Sequence, residues 1–275
     1  MVHNILSVDV EDWYHPEALQ HRFKRSAWEE QPQRVAKNID MLLDLFAEKD
    51  LKATFFTLGW VAKHNPQMIK KIAAAGHEIA SHGNSHRMLT KLTPDEFRQD
   101  LKESISILED LSGQKIVGFR APTFSVVKDT FWAWEIMLEL GIKYDSSVYP
   151  IWHDRYGVAD APRFPYTAIE KNGRKLMEFP MPTLKLFGVN IPFGGGGYLR
   201  ILPNWFTRYA IKRMNRENAP VIMFIHPWEF DIHQKRLNLG SIQTWRHYYN
   251  INNNSKKLAE LLDEFSWTNF RSILE

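Results

Sequence analysis

Apolar runs that suit buried strands alternate with helical spacings through the first half of the chain. Residues 4–10, NILSVDV, are apolar and β-branched and end in acids, the pattern of a buried strand that delivers polar groups at its C-terminal end. Residues 33–50 repeat apolar positions at Val35, Ile39, Leu42, Leu43 and Phe46, which predicts a helix. KATFFTL (52–58) predicts a second strand, residues 59–76 a helix interrupted at Pro66, and HEIAS (77–81) a short third strand. Residues 93–113 open with Thr93 and Glu96 in capping-box spacing and end in glycine, so another helix is predicted there. KIVGFRAP (115–122) predicts a strand that stops at Arg120 and a proline. APVIMFIHPWEFD (219–231) predicts a last buried strand ending in His226, and residues 254–267 an amphipathic closing helix.

Strand, helix, strand, helix at this spacing predicts a parallel sheet with right-handed crossovers, and four such units before residue 145 favour an α/β barrel. Residues 146–205 break the rhythm. They are rich in Pro, Gly and aromatics, and predict loops and hairpins that decorate one face. No internal repeat or linker-like stretch divides the chain, so one domain over residues 1–275 is expected, with a loop-rich insertion at about 146–205. With 44% apolar residues, a chain of 275 can bury a large core.

Composition then narrows the chemistry. Lys and Arg total 35 against 32 Asp and Glu, with no run of like charges, so nucleic acid is not an expected partner. The absence of cysteine excludes disulfides, thiolate zinc sites and cysteine nucleophiles; any metal must be held by His, Asp, Glu or water. No apolar run is long enough to span a bilayer, and the first residues lack the pattern of a secretion signal. A cytoplasmic location is therefore expected, peripheral to the inner membrane if the substrate is lipid-linked. Aromatic residues make up 13%, with ten Trp, which is compatible with sugar binding. Nothing in the sequence indicates an oligomeric state.

Chemistry-bearing residues gather at the predicted strand ends: Asp9, Glu11 and Asp12 after the first, His82 and His86 of SHGNSH after the third, Arg120 after the fourth, and His226 after the last. In a parallel barrel these ends open on one face, where such enzymes keep their active sites. Two imidazoles and a carboxylate form a zinc-type set with open positions for water and substrate, and such a metal lowers the pKa of its water to about 7. Asp9 could accept the water's proton, Arg120 could orient Asp9, and His226 could protonate a leaving group. Each residue also has a plainer reading. A solitary His-x-x-x-His on a loop is more often coincidence, Asp9 and Asp12 could cap the following helix, Arg120 could be half of a structural ion pair, and His226 a buried imidazole. GGGGYLR (194–200) lacks the Lys-Ser/Thr of a phosphate loop, and a flexible or close-approach substrate loop is expected instead. His3, His64, His77, His233 and His247 show no partner pattern.

SVDVEDWYH, SHGNSH, FRAPTFS and FIHPWEFD together resemble the motifs of the polysaccharide deacetylases of the nodulation-deacetylase homology group, carbohydrate esterase family 4. YDSSVYP, GGGGYLR and WRHYYN are similar to segments of its branch associated with exopolysaccharide and exosortase loci, so the resemblance runs from residue 4 to about 250. It implies a deformed seven-stranded (β/α) barrel, a divalent metal (zinc first, with cobalt, nickel or manganese as substitutes) and removal of acetyl groups from a glycan or glycan precursor. Carried over by position, Asp9 is the general base, His82 and His86 are ligands, Arg120 orients Asp9 and His226 is the general acid. The family's first motif has two adjacent aspartates, whereas here Val10, Glu11 and Asp12 follow Asp9. Glu11 is favoured as third ligand if the strand continues, and Asp12 if the chain turns after Val10. The sugar is expected against Trp13, Trp152 and Trp228, with Pro122, Thr123, Tyr149, Gly196 and Tyr198 around it. Two other readings remain open: a metal-free hydrolase of small cyclic amides, and a non-catalytic glycan-binding protein.

Overall fold

The computed structural model describes residues 2–274. Its strands are β1 (Asn4–Val10), β2 (Thr54–Thr57), β3 (Glu78–Ser81), β4 (Gly118–Phe119), β5 (Tyr144–Asp145), β6 (Tyr166–Lys171), β7 (Arg174–Glu178), β8 (Thr183–Leu186), β9 (Val189–Pro192), β10 (Ile222–Ile225) and β11 (Trp267–Thr268). The main sheet runs β10-β1-β2-β3-β4-β5-β7-β6, with β11 added beside β1. Every neighbouring pair from β10 to β7 is parallel, which makes the seven-stranded wall of a deformed (β/α)7 barrel; only β6 joins antiparallel. The backbone of Gly195 adds a parallel bridge to Phe224 on β10.

Helices α1 (Val35–Glu48), α2 (Gly59–His64), α3 (Pro66–Ala74), α4 (Pro94–Ser112) and α5 (Trp132–Glu139) follow successive strands of the first half. Burial of Val35, Ile39, Leu42 and Phe46 on α1 follows the apolar spacing in the sequence. In α4 the Thr93 hydroxyl accepts from Glu96 N (3.3 Å) and the Glu96 carboxylate accepts from Thr93 N (2.8 Å). Gly113 ends that helix in the left-handed conformation. The helix expected over 59–76 is two, separated at Asn65 because Pro66 starts a new N-terminus. α6 (Gly196–Ile201), α7 (Asn204–Arg216), α8 (Ser241–Tyr248), α9 (Ile251–Glu264) and α10 (Arg271–Leu274) complete the chain.

Residues 146–205 are not all decoration. β7, from the middle of that section, pairs with β5 in register Asp145↔Glu178 and so forms part of the wall. Only β8 and β9 stand apart, as a two-stranded hairpin. Among the described residues no helix is long and apolar enough to cross a membrane.

Candidate active site

β1 lies between β10 and β2, one strand in from an end of the wall, and is buried along its whole length. Ser7 and Asp9, two residues apart, share a face, and the fully buried Arg120 guanidinium reaches both: Nη1 donates to Ser7 Oγ (2.8 Å) and Asp9 Oδ1 (2.7 Å). Arg120 is itself held by Ser146, through the carbonyl oxygen at 3.0 Å and the hydroxyl at 3.0 Å, and lies 4.1 Å over the Phe56 ring. Asp9 is thereby locked through one oxygen, while Oδ2 lies 3.9 Å from His226 Nε2.

The first strand stops at Val10, and Glu11 N donates back to Asp9 O at 2.9 Å in a tight turn. That turn was expected to favour Asp12, yet Glu11 is the acid it carries into the site. Glu11 Oε1 lies 3.2 Å from His82 Nε2 and 3.0 Å from His86 Nε2. Among the described residues these three form a buried group whose potential ligand atoms all lie within 4.8 Å of one another. Burial opposes ionisation of Glu11, but the charges of His86 and His226 and the hydrogen bonds from His82 and His86 outweigh it and hold the carboxyl well below its ordinary range. Gly83 takes φ 76°, and a Cβ there would come within 3.0 Å of Asp100; this turn, with His86 at φ 52°, brings both imidazoles onto Glu11. The far nitrogens are engaged as well, His82 Nδ1 with Arg120 O (2.8 Å) and His86 Nδ1 with the Gln20 amide (3.3 Å). Two imidazole nitrogens and one carboxylate oxygen, each held by a further hydrogen bond or turn, fit a zinc-type cation with open positions.

Asp12, the other candidate ligand, is elsewhere. Its carboxylate accepts from the backbone N–H groups of Arg34 (2.7 Å) and Val35 (3.0 Å) at the start of α1, and from Trp13 N (2.8 Å). A carboxylate satisfies a helix N-terminus well, and the cap removes Asp12 from the site. Asp12→Ala is expected to cost about 1–2 kcal/mol of stability without weakening cation binding, as denaturant melts and metal titration would show. Lost cation binding in that variant would contradict this placement.

His226, after β10, donates from Nδ1 to Glu229 Oε2 (3.1 Å), and its backbone N donates to the same oxygen (2.9 Å). Glu229 in turn accepts from Arg200 Nε (2.9 Å), both side chains being buried. Burial disfavours the imidazolium, but the carboxylates of Glu11, Glu229 and Asp9 raise His226 to about 9. Burial likewise disfavours ionised Glu229, yet His226 and Arg200 lower it to about 2. The raised imidazole stabilises the fold fully below its ordinary 6.5 and loses this as pH rises through about 9. The lowered carboxyl contributes above its ordinary 4.5 and is lost as pH falls through about 2. His226 therefore enters neutral pH carrying a proton, with Nε2 3.9 Å from Glu11 Oε1 as well as from Asp9.

These groups line a cavity of about 180 Å³ together with Thr123, Phe124, Tyr156 and Trp228. Thr123 (φ 57°) and Phe124 (φ 52°) are held in the left-handed region, strain of a kind that concentrates at functional sites. A second cleft of about 490 Å³ shares Glu17, Phe124, Tyr156 and His226 with it and is lined by Tyr149, Gly196 and Tyr198. A larger cavity, about 860 Å³ between Trp60, His64, Asn84 and Glu103, brings no such convergence. Three residues expected around the sugar do not line these cavities. Trp13 is buried, its indole N–H donating to Pro32 O (3.1 Å); Trp152 is 84% exposed and outside both cavities; and Pro122 is buried beneath Thr123 without lining either. The GGGGYLR glycines make a close approach, but to the barrel itself. At Gly195 (φ 147°) a Cβ would sit 1.9 Å from Phe224 O.

Residues 28–144 match the polysaccharide deacetylase family. Residues 146–275 match a second family, described as a domain of unknown function, DUF3473. A peptidoglycan deacetylase of Helicobacter pylori is 34% identical over 110 residues, 40% of this chain and 36% of the relative. A peptidoglycan-N-acetylglucosamine deacetylase of Bacillus cereus is 36% identical over 95 residues, 34% of each protein. The chain thus spans about a third of the length of these relatives. In fold, it is similar to the crystal structure of a Mycobacterium smegmatis protein assigned as a polysaccharide deacetylase, with TM-score 0.61 at 20% identity over 98% of this chain and 89% of that one. His82, His86 and Arg120 fall within the deacetylase-family segment, whereas His226, Glu229 and Arg200 belong to the second.

Sequence reasoning missed Glu229 and Arg200. The spacing His226-Pro-Trp-Glu229 carried a signal: a glutamate three residues after a strand end is placed to cap the turn that follows. Arg200 could not be paired with it, because 28 residues and a helix intervene.

Proposed function

We propose that the chain is a hydrolase that removes acetyl groups from N-acetylhexosamine units of a glycan or glycan precursor, with a zinc-type divalent cation held by Glu11, His82 and His86. The observation that carries this reading is the convergence of Glu11 on both imidazoles, 3.0–3.2 Å away, with Asp9 and His226 on the same cavity. Bound there, such a cation polarises a carbonyl oxygen and makes water nucleophilic at neutral pH. Asp9, immobilised through Oδ1 by Arg120, offers Oδ2 to take a proton from the attacking water. His226 holds its proton at Nε2 across the cavity and gives it to the departing amine, the imidazolium being stabilised at Nδ1 by Glu229. Trp228 stacks on His226 (5.5 Å, 27°) with His247 parallel behind it (4.6 Å, 2°), which fixes the acid's plane.

YDSSVYP, GGGGYLR and WRHYYN support assignment to the exopolysaccharide-associated branch. β7, from the DUF3473 segment, joins the sheet of the deacetylase segment, which supports reading residues 1–275 as one barrel unit. The test is acetate release from N-acetylated oligosaccharides, with and without chelator. Release that chelator abolishes and added zinc restores is expected; release that survives both chelation and His82→Ala would overturn the reading.

Glu229→Gln tests the positioning of the acid. Without that negative charge His226 binds its proton less tightly, so the alkaline limb of activity and the NMR titration of the imidazole are expected to move down by about one pH unit or more. Unmoved curves would show that Glu229 only supports the fold.

A further inference from the structure

We propose that the rim around the site is a docking surface for an anionic lipid bilayer, an inference that stands independently of the hydrolase reading. The β8–β9 hairpin turns through Phe187 (φ 49°) and Gly188 (φ 81°), both left-handed, as a two-residue hairpin turn requires. Glycine suits its position, but the first is one that Asn, Asp or Gly normally fills, and Phe187 there is fully exposed. Within the molecule, a strained and solvated phenyl ring gains nothing. Val189 beside it is 59% exposed, and Asn190 Nδ2 donates to Pro150 O (2.7 Å), joining the hairpin to the loop that displays Trp152.

α8 presents a second apolar ridge. Ile242, Trp245 and Tyr249 are exposed at helical spacing, while His247 and Tyr248 face the fold. The two ridges arise from segments that follow the C-terminal ends of β5, β7 and β10, so they share the face on which the site opens. The 490 Å³ cleft that reaches His226 is lined by Arg155, from the loop that displays Trp152, and by Arg246 of α8. Among the described residues Arg246 has no carboxylate partner, and Arg155 has only the exposed Asp154 at 4.0 Å. Trp and Tyr beside guanidinium groups, one without a carboxylate partner and one only loosely paired, form a combination that suits a bilayer interface, rings at headgroup depth and cations against anionic phosphates. That charge complementarity favours an anionic bilayer over a neutral apolar partner.

The test is sedimentation of the purified full chain with phosphatidylcholine vesicles, with and without phosphatidylglycerol. Binding is expected to be stronger to the anionic vesicles. The double variant Trp152→Ser/Phe187→Ser is expected to weaken it by about tenfold or more at unchanged melting temperature, since each aromatic buries a large apolar area. Arg155→Gln/Arg246→Gln is expected to remove the preference for phosphatidylglycerol. Glu11→Ala should bind as well as the unaltered chain, which separates this proposal from the hydrolase reading. Absence of binding, equal binding by the double variant, or self-association through the ridges without vesicle binding would overturn it.

Discussion

Glu11→Ala is expected to weaken cation binding by more than about 100-fold and to take acetate release down with it, because groups hydrogen-bonded to ligands are already worth about 10–100-fold. Its Oε1 is the atom shared by both imidazoles. Removing the carboxylate leaves His82 and His86 without an anionic companion, and a neutral pair of imidazoles holds a dication poorly. The same change deprives His226 of the carboxylate that raises its pKa most, so proton donation shifts to lower pH. Metal titration by calorimetry and an acetate assay would check both effects. Wild-type affinity in Glu11→Ala would mean that another acid completes the set. Asp12 is poorly placed for that, since its oxygens are taken by the start of α1.

Arg120→Ala is expected to be the most destabilising single change in the site. Its guanidinium is fully buried and bonds to Ser7, Asp9 and Ser146. Loss of one partner of a buried ion pair costs about 3–5 kcal/mol. Against a typical total of about 5–15 kcal/mol that is a large fraction, so denaturant midpoints should fall sharply. Arg120→Lys keeps a charge but cannot span Ser7, Asp9 and Ser146 from one planar fork. It is expected to fold with reduced stability and to release acetate at least ~10-fold more slowly, because Asp9 is no longer aimed. Wild-type rates in Arg120→Lys would show that orientation of Asp9 does not matter.

Much of the barrel was legible because parallel strands buried on both faces read as apolar runs, as IMFI of β10 does, and because Thr93, Glu96 and Gly113 announce both ends of α4. β5 and β11 are two residues each and leave no periodicity to read, whereas β4, equally short, lies inside the run KIVGFRAP that predicts a strand. β7 was hidden for another reason: it pairs with β5 in a register that sets the buried acids Asp145 and Glu178 side by side, which no local pattern predicts. The convergence of His82, His86, Arg120 and His226 with Asp9 followed from strand ends sharing one face. The choice between Glu11 and Asp12 did not, because it turned on where α1 begins in space. A helix N-terminus 22 residues away claims Asp12. The positions of Trp13, Trp152 and Pro122 outside the cavities were not legible, because aromatic and proline content shows affinity for apolar surroundings, not whether those surroundings are core, cleft or open surface.

The most direct test is a crystal structure of the protein grown with zinc, read by anomalous scattering at the zinc edge. One peak is predicted, within about 2.0–2.2 Å of a Glu11 carboxylate oxygen, His82 Nε2 and His86 Nε2, with Asp12 still on the α1 terminus. A peak elsewhere, or full zinc occupancy with Glu11 turned away from both imidazoles, would contradict the account.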